Sequence, residues 1–331
     1  MRLSARIASF AVLAILSMPV LEAVAQQEAP AAPPQEPSAP TPAPAPTAPP
    51  VFPKPDPANF TASTPTRETV NDFLQIAWGY DDSRMWQVEK ILKTPVEGVS
   101  QVIVYVGDKT GKQKPGALGF FTLPDGKHII AGDEIVTFGE HPYADYRALL
   151  EQRADGPYRG SPSKDLLMVE FADFQCPHCK EEQANMEQLA VDFPKARIVF
   201  QSYPLPQHSA AAGAAAYGVC VAKEGGSNAF FTFASAVFEG QDGLASADGA
   251  TLTLNSAVAK AGLDPAKIAA CAATPATIAT VDASVKLAKD LNILQVPTLV
   301  INGRPVPIGG ASYETIKKVV EYQAKLDGVG Q

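Results

Sequence analysis

Two cysteines separated by a proline and a histidine form the motif in this chain that is best suited to chemistry. The residues are Cys176, Pro177, His178 and Cys179, and they lie between an apolar stretch and a segment with helical spacing. A sulfur at a helix N-terminus is stabilised as a thiolate by the helix dipole and by free backbone N–H groups. Pro177 fits the first turn, where its missing N–H is not needed. The motif therefore predicts that Cys176 is a reactive thiol with a lowered pKa.

His178 is predicted to act on Cys176 as well, as a hydrogen-bond donor or a positive charge beside the sulfur. A stabilised thiolate makes the matching disulfide easier to reduce, so the pair would be a strong oxidant. Cys179 lies one turn further along the helix and is predicted to be the shielded, resolving thiol. Two alternatives remain for this motif, an inert structural disulfide and half of a zinc site. A zinc site would need a second pair of ligands at short spacing.

Length and composition limit the class of protein that can contain this motif. The chain has 331 residues, of which 46% are hydrophobic, and a net charge of −8. It is long enough for more than one domain, and its acidic balance argues against nucleic acid as a partner. Four cysteines are too few for a disulfide-rich scaffold of this length.

Residues 1–25 have the pattern of a secretory signal peptide. Arg2 and Arg6 precede an apolar stretch over 7–21, and small residues at 23–25 offer a cleavage site. We therefore expect a protein that is exported to the periplasm or cell envelope, is soluble after cleavage, and works where disulfides persist. An uncleaved membrane anchor is the alternative, although the stretch is short for a span of about 20 residues.

A proline-rich linker is predicted over residues 26–65. Thirteen of the 28 residues in 30–57 are proline, and most of the others are small or polar. Such a segment cannot bury a hydrophobic core. As polyproline II it would extend by about 3.1 Å per residue, which suits a spacer. The alternative is a disordered tail without a specific role.

Residues 66–153 are predicted to form a small α+β domain with an antiparallel sheet. The hydrophobic pattern predicts helices near 66–77 and 83–92 and strands at 102–106, 120–123 and 128–130. This segment contains no cysteine and shows no catalytic cluster. Structural or surface roles are expected for His128 and His141.

Residues 160–331 are predicted to hold the cysteine pair in an α/β fold. The expected strands are 166–171, 197–201, 298–301 and 304–308, and the expected helices are 176–193 and 312–326, with a helical block over 208–291. Asn302 and Gly303 have the pattern of a two-residue hairpin turn. Pro305 and Pro307 place the strand after that turn at a sheet edge.

Residues 160–321 resemble the DsbA-like branch of the thioredoxin superfamily. Three stretches carry the resemblance, FADFQCPHC at 171–179, YPLP at 203–206 and VPTLVINGR at 296–304. The resemblance implies a thioredoxin fold with an inserted helical domain, in which Cys176 is the nucleophile and Cys179 the resolving thiol. It also implies that Pro297 is a cis proline that borders the substrate groove together with Val296. No cofactor or metal is predicted, because the redox group is the Cys176–Cys179 disulfide itself.

The same resemblance assigns a role to a buried acid. Glu170 matches the family's buried strand carboxylate, which is expected to exchange a proton with Cys179; a strand-end carboxylate without that role is the alternative. Cys220 and Cys271 lie in the helical block. In an oxidising compartment they are predicted to pair as a structural disulfide, and a reactive or intermolecular thiol is the alternative.

A second resemblance concerns residues 94–138, which are similar to the N-terminal dimerisation domain of the DsbC and DsbG disulfide isomerases. It is carried by VEGV at 96–99 and DGKHIIAG at 125–132, and it implies a homodimer. This layout indicates an isomerase, whereas Pro177, His178 and Val296 are more similar to the oxidase.

These observations together predict an exported thiol–disulfide oxidoreductase, with the dithiol oxidase favoured over the isomerase. Its expected partners are unfolded or reduced secreted proteins and a membrane redox protein that reoxidises or reduces the cysteine pair. A hypothesis from another class is a holdase or scaffold, in which a dimeric cleft binds unfolded chains and the redox pair is secondary.

Overall fold

A computed structural model describes residues 52–111 and 114–329 of the chain. The predicted signal peptide at 1–25 and most of the predicted proline-rich segment lie outside these residues. The described chain contains two five-stranded sheets and eight α-helices. The predicted α/β fold class is therefore confirmed.

The first sheet is antiparallel, with its strands in chain order. They are β1 (Arg84–Lys93), β2 (Ser100–Asp108), β3 (Gly116–Thr122), β4 (His128–Ala131) and β5 (Glu134–Thr137). Helix α1 (Arg67–Trp78) begins after Thr66, whose hydroxyl accepts a hydrogen bond from the backbone N–H of Thr69 at 3.1 Å. Its apolar face packs on the sheet, where Phe73 shares a core with Val102 and Val104.

The predicted helix over 83–92 is wrong, because this segment forms strand β1. Val88 pairs with Val104, but Lys90 pairs with Ile103, so Glu89 is an extra residue in a β-bulge. The bulge turns Val88 and Ile91 to the same buried face although they are three residues apart. That spacing is typical of a helix, so the sequence pattern predicted a helix where the chain forms a strand.

The second sheet has the strand order β10, β9, β7, β8, β6. The strands are β6 (Tyr158–Gly160), β7 (Leu167–Ala172), β8 (Arg197–Ser202), β9 (Thr298–Ile301) and β10 (Arg304–Pro307). Strands β7 and β8 are parallel and the other pairs are antiparallel. The predicted edge position of β10 is confirmed. The turn before it has positive φ at Asn302 (46°) and Gly303 (91°), as a two-residue hairpin requires.

The remaining helices lie in the same part of the chain as the second sheet. They are α2 (Ala144–Arg153), α3 (Pro177–Asp192), α4 (Ala211–Glu239, interrupted at Gly226), α5 (Ala247–Lys260), α6 (Pro265–Ala272), α7 (Pro275–Asp290) and α8 (Tyr313–Leu326). Helices α4 to α7 form the predicted helical block. Helix α2 falls within the range assigned to the first domain, but its buried residue Leu150 packs with Leu167 and Val169 of the second sheet.

Side-chain contacts also join α1 to the second half of the chain. The guanidinium of Arg304 donates hydrogen bonds to the carbonyl of Ile76, at 3.2 Å, and to that of Ala77. The hydroxyl of Tyr322 on α8 donates to the carbonyl of Gln75 at 2.6 Å. These bonds satisfy carbonyl groups near the end of α1.

In the described ranges 52–111 and 114–329, no single helix has the length and apolar character to cross a bilayer. Helices α6 and α7 have that character only when taken together, across a bend of 68°.

Candidate active site

The cysteine pair lies where the chain leaves β7 and begins α3. Cys176 is the N-cap residue, with an extended backbone, and Pro177 occupies the first turn. Both cysteines are free thiols, and they are buried, with Cys176 6% exposed and Cys179 0% exposed. The cysteine pair therefore lies where the predicted strand has ended and the predicted helix begins.

The two thiols have opposite pKa shifts. A hydrogen bond from the Cys179 thiol, followed by bonds from the backbone N–H groups of Cys179 and His178, lowers the pKa of Cys176 to about 6. Burial and the negative charge of Asp173 oppose this shift. The same hydrogen bond to Cys176, together with burial, raises the pKa of Cys179 far above its usual range. The two shifts make Cys176 the more acidic thiol of the pair and Cys179 the less acidic one.

The imidazole of His178 points away from the predicted contact with the sulfur. Its Nδ1 lies 3.1 Å from Oε2 of Glu181, and this hydrogen bond is the main cause of a raised His178 pKa. The side chain is 67% exposed. His178 therefore acts on Cys176 chiefly through its backbone N–H.

The structure brings Val296 and Pro297 to the nucleophile. The Val296–Pro297 peptide bond is cis, and the carbonyl oxygen of Val296 lies 4.0 Å from Cys176 Sγ. Gly309 lines the other side of the proline, where an added Cβ would be 3.3 Å from Pro297 Cδ. This close packing holds Pro297 in a buried position beside the sulfur.

Glu170 lies on β7 below the cysteine pair and is 2% exposed. Burial raises the pKa of its carboxyl group to about 7. Gln183, which the sequence analysis did not single out, donates from Nε2 to Glu170 Oε1 at 3.0 Å and to the carbonyl of Cys179 at 3.1 Å. This amide holds the acid close to the resolving cysteine, where a carboxyl group with a near-neutral pKa can give or take a proton.

Asp173 and His208 form a buried polar cluster behind the nucleophile. Asp173 Oδ2 is 2.8 Å from His208 Nδ1 and accepts a hydrogen bond from the backbone N–H of Leu205 at 2.8 Å. The backbone N–H of Asp173 donates to Cys179 Sγ at 3.4 Å. This contact joins residues 35 positions apart, so no local sequence pattern indicates it.

The helical block holds the loop that carries Cys176. The side-chain amide of Gln241 donates to the carbonyls of Phe174 at 2.9 Å and Cys176 at 3.0 Å. Gln241 is 8% exposed, so water does not compete for these bonds. A single amide from outside the thioredoxin-like core thus fixes the backbone before the reactive sulfur, and no sequence signal identified it.

A disulfide joins Cys220 on α4 to Cys271 on α6, with a Cα–Cα distance of 6.0 Å. It lies within the helical block and is separate from the redox pair. Among the described residues, no group of three or more His, Cys, Asp and Glu side chains is placed to bind a metal ion.

Residues 152–322, just over half of the chain, match the family model described as Thioredoxin. A solved thioredoxin-like oxidoreductase from Silicibacter pomeroyi DSS-3 is similar at 23% identity and a TM-score of 0.47, covering 54% of this chain and 98% of that one. The thiol-disulfide exchange protein alpha-DsbA2 from Wolbachia pipientis is similar at 22% identity and a TM-score of 0.46, covering 54% and 95%.

A curated relative matches a shorter part of the chain. It is the Na(+)/H(+) antiporter NhaA 3 from Salinispora tropica, which is 33% identical over 91 residues. The match covers 27% of this chain and 14% of the antiporter, so this chain spans only a small part of that relative's length.

Proposed function

This chain belongs to the thioredoxin family, and we propose that it is a thiol–disulfide oxidoreductase whose redox pair is Cys176 and Cys179. The observation that carries the proposal is the opposite shift of the two pKa values within one buried pair, to about 6 for Cys176 and upward for Cys179. A nucleophile that is ionised at neutral pH beside a protonated resolving thiol is what thiol–disulfide exchange requires.

The reaction begins from the Cys176–Cys179 disulfide when the protein acts as an oxidase. A substrate thiolate attacks the sulfur of Cys176, forms a mixed disulfide, and releases the sulfur of Cys179, which takes up a proton. Glu170 is the group placed to supply that proton, because its carboxyl pKa is about 7. A second substrate thiolate then attacks the substrate sulfur of the mixed disulfide and releases Cys176 as a thiolate. Two electrons pass from the substrate dithiol to the cysteine pair.

The oxidase direction is favoured because the low pKa of Cys176 stabilises the reduced form of the pair. A stable leaving thiolate makes the disulfide a better oxidant. The alternative is an isomerase, in which the reduced Cys176 attacks wrongly paired disulfides. Its support is the similarity of residues 94–138 to the dimerisation domain of known isomerases.

The signal-peptide pattern at the N-terminus supports a location, and the resemblance to DsbA-like proteins supports a set of partners. We propose that the protein is exported to the periplasm or cell envelope and acts on unfolded or reduced secreted proteins. We also propose that a membrane redox protein renews the disulfide. The chain is further proposed to assemble as a homodimer through the first sheet. Light scattering of the mature protein should give the mass of a dimer, and a monomer at tens of micromolar would contradict this part.

The deciding experiment measures dithiol oxidation and disulfide isomerisation with one preparation. The mature protein should rapidly oxidise a reduced dithiol peptide and refold scrambled ribonuclease slowly, and Cys176→Ser should abolish both activities. Val191→Ser, an exposed change at the far end of α3, serves as the matched control and should retain them. Fast refolding of scrambled ribonuclease would favour the isomerase. Binding of unfolded chains without either redox activity would favour a holdase.

The state of the nucleophile is tested separately by alkylation of the reduced protein. The rate at Cys176 should follow its thiolate fraction and reach half its maximum near pH 6, since the pKa is about 6. Cys179 should react slowly throughout. A half-maximum near pH 8.5, the value of an unperturbed thiol, would contradict the proposed mechanism.

A further inference from the structure

One buried amide of the helical block donates hydrogen bonds to two carbonyl groups of the loop that carries the nucleophile. Gln241 begins the short 3-10 helix Gln241–Ala245 between α4 and α5. Its Nε2 lies 2.9 Å from the carbonyl oxygen of Phe174 and 3.0 Å from that of Cys176. A side-chain amide carries two N–H donors, so both are used on this loop. Gln241 is 8% exposed, and hydrogen bonds shielded from water are electrostatically stronger than exposed ones.

The Cys176 carbonyl is also bonded by the first turn of α3. It accepts the backbone N–H of Cys179 at 3.1 Å and that of Lys180 at 3.2 Å. The Cys179 N–H has a second acceptor, since its hydrogen bond to the Cys176 sulfur is one of the causes that lower the Cys176 pKa. One N–H group is therefore shared between a carbonyl oxygen and the reactive sulfur, as is common at helix ends.

The amide of Gln241 affects how that N–H group is shared. The carbonyl oxygen of Cys176 has two lone pairs and, with Gln241, three donors, so it holds the Cys179 N–H less strongly. The amide hydrogens also place positive partial charge beside this oxygen, whose own partial charge is negative and unfavourable for a thiolate. Both effects favour the ionised sulfur of Cys176.

The groups that stabilise the Cys176 thiolate are neutral hydrogen-bond donors. The Cys176 pKa is lowered by the Cys179 thiol and by the backbone N–H groups of Cys179 and His178. The charge of Asp173 opposes this lowering of the pKa. The His178 imidazole is 67% exposed and binds Glu181 instead. The loss of one neutral hydrogen bond should therefore change the acidity of this sulfur measurably.

A second glutamine ties the same loop to the helical block in a different way. Gln175 donates from Nε2 to the carbonyl of Leu244 at 3.3 Å, and its Oε1 accepts the backbone N–H of Ala210 at 2.8 Å. Neither bond involves the carbonyl of Cys176. The two glutamines therefore separate two roles, attachment of the loop to the block and direct action on the backbone of the nucleophile.

We propose that Gln241 is a positioning residue for Cys176, whose amide leaves an N–H group of α3 to the reactive sulfur and so makes the disulfide a stronger oxidant. The inference rests on the proposed thiol–disulfide exchange and adds one residue of the helical block to the groups that control it. A stabilised thiolate favours the reduced form of the pair. In this role Gln241 needs no contact with a substrate, because it acts through the backbone of Cys176.

The test replaces the amide with a side chain of similar length that has no donors. In the full mature protein, Gln241→Met should raise the pH at which Cys176 alkylation reaches half its maximum by about 0.5–1 pH unit, the size of one neutral hydrogen bond. The equilibrium constant for reduction of the disulfide by glutathione should fall by about three- to tenfold, because the released thiolate is less stable. Oxidation of dithiothreitol and of a dithiol peptide should slow alike, since no substrate contact is lost.

Two further glutamine-to-methionine variants are the matched comparisons. Gln175→Met removes the other attachment of the loop, and Gln188→Met is an exposed change on α3. Gln175→Met should lower the free energy of unfolding, but neither variant should move the alkylation profile. An unchanged profile in Gln241→Met would overturn the proposal. An equal rise in Gln175→Met would overturn it as well, because attachment to the block alone would then account for the effect.

Gln241→Glu provides the same comparison if the methionine variant does not fold. The ionised carboxylate keeps the length of the side chain, has no donor, and adds negative charge near Cys176, so the half-maximum should rise further. No rise in this variant would overturn the proposal. Alkylation does not require disulfide exchange, so a wild-type protein that oxidises no dithiol would overturn the proposed function and leave this comparison intact.

Discussion

The two sheets of this protein differ in how they are covered. In the second sheet every residue of β7 and β9 is buried, as expected for strands with helices on both faces. In the first sheet burial alternates, so Phe120 is 7% exposed and its neighbour Phe121 is 38% exposed. Phe121 pairs with Ile130, which pairs with Ile135, and the three form an apolar row on the uncovered face.

This difference agrees with the proposed placement of the redox pair beside the second sheet. Burial is the largest cause of the raised Glu170 pKa and one cause of the raised Cys179 pKa. A sheet with one open face leaves its outward side chains in water, where pKa values stay near their ordinary range. The first sheet instead presents apolar side chains to water on its open face.

The largest expected effect comes from making the same substitution in each sheet. Phe171→Ala on β7 removes a side chain that is 0% exposed and should lower the free energy of unfolding by about 3–5 kcal/mol. Phe121→Ala on the open face should cost about 1–2 kcal/mol, because more than a third of the residue is already in water. Urea unfolding of both variants measures the difference. Equal losses would show that the open face is covered in solution, for example by a second copy.

The second prediction concerns the helical block that covers the second sheet. The disulfide between Cys220 and Cys271 closes a loop with a sequence separation of 51, and Cys220→Ser with Cys271→Ser should lower the free energy of unfolding by about 2–4 kcal/mol. The rate of Cys176 alkylation should be unchanged, because the disulfide does not contact the redox pair. A change in that rate would show that the block transmits strain to the site. Leu252→Asp is a suitable surface control.

The sequence patterns located the second sheet better than the first. The apolar run of β7, the start of α3 at Cys176 and the hairpin before β10 were predicted because each has a strong local signal. Strand β1 was missed because a bulge at Glu89 gave it helical spacing. Strand β6 was missed because three residues are too few for a periodic pattern.

The site itself was only partly predictable for a similar reason. The cysteine pair was predicted from its motif and the cis proline from the family resemblance, whereas Gln183, Gln241 and the Asp173–His208 contact were not predicted. The Gln241 and Asp173–His208 contacts join residues distant in sequence, and neutral amides and lone histidines carry no pattern of their own. Only the folded chain shows that Gln241 binds the carbonyl of Cys176.

The third prediction tests whether the covered sheet sets the pKa of Glu170. Its folded pKa is raised from 4.5 to about 7, so the folded state binds more protons than the unfolded state between these values. The free energy of unfolding should therefore fall as pH rises through this window, by an amount on the order of 3 kcal/mol from this group. Glu170→Gln should remove that fall, so the variant gains stability relative to the wild-type protein at pH 8 but not at pH 4.

Denaturant unfolding at several pH values, with the cysteines kept reduced, measures this effect. Glu97→Gln, an exposed change in the turn between β1 and β2, is the matched control and should leave the pH profile unchanged. A constant difference between Glu170→Gln and the wild-type protein across the range would show that Glu170 is not unusually titrated. In that case its proposed role in protonating Cys179 would also fail.

The smallest expected effect concerns the joint between the two regions. The Tyr322 hydroxyl donates to the carbonyl of Gln75 at 2.6 Å, but the same carbonyl also accepts a bond from the backbone N–H of Gly79 at 2.9 Å. Tyr322→Phe therefore leaves no buried acceptor unpaired, and the cost should lie near the lower end of the usual range for a hydrogen bond, about 0.5 kcal/mol. Dithiol oxidation should not change. The variant could instead unfold in two separate transitions. That result would show that this contact is the main coupling between the two sheets, and that each sheet belongs to an independent folding unit.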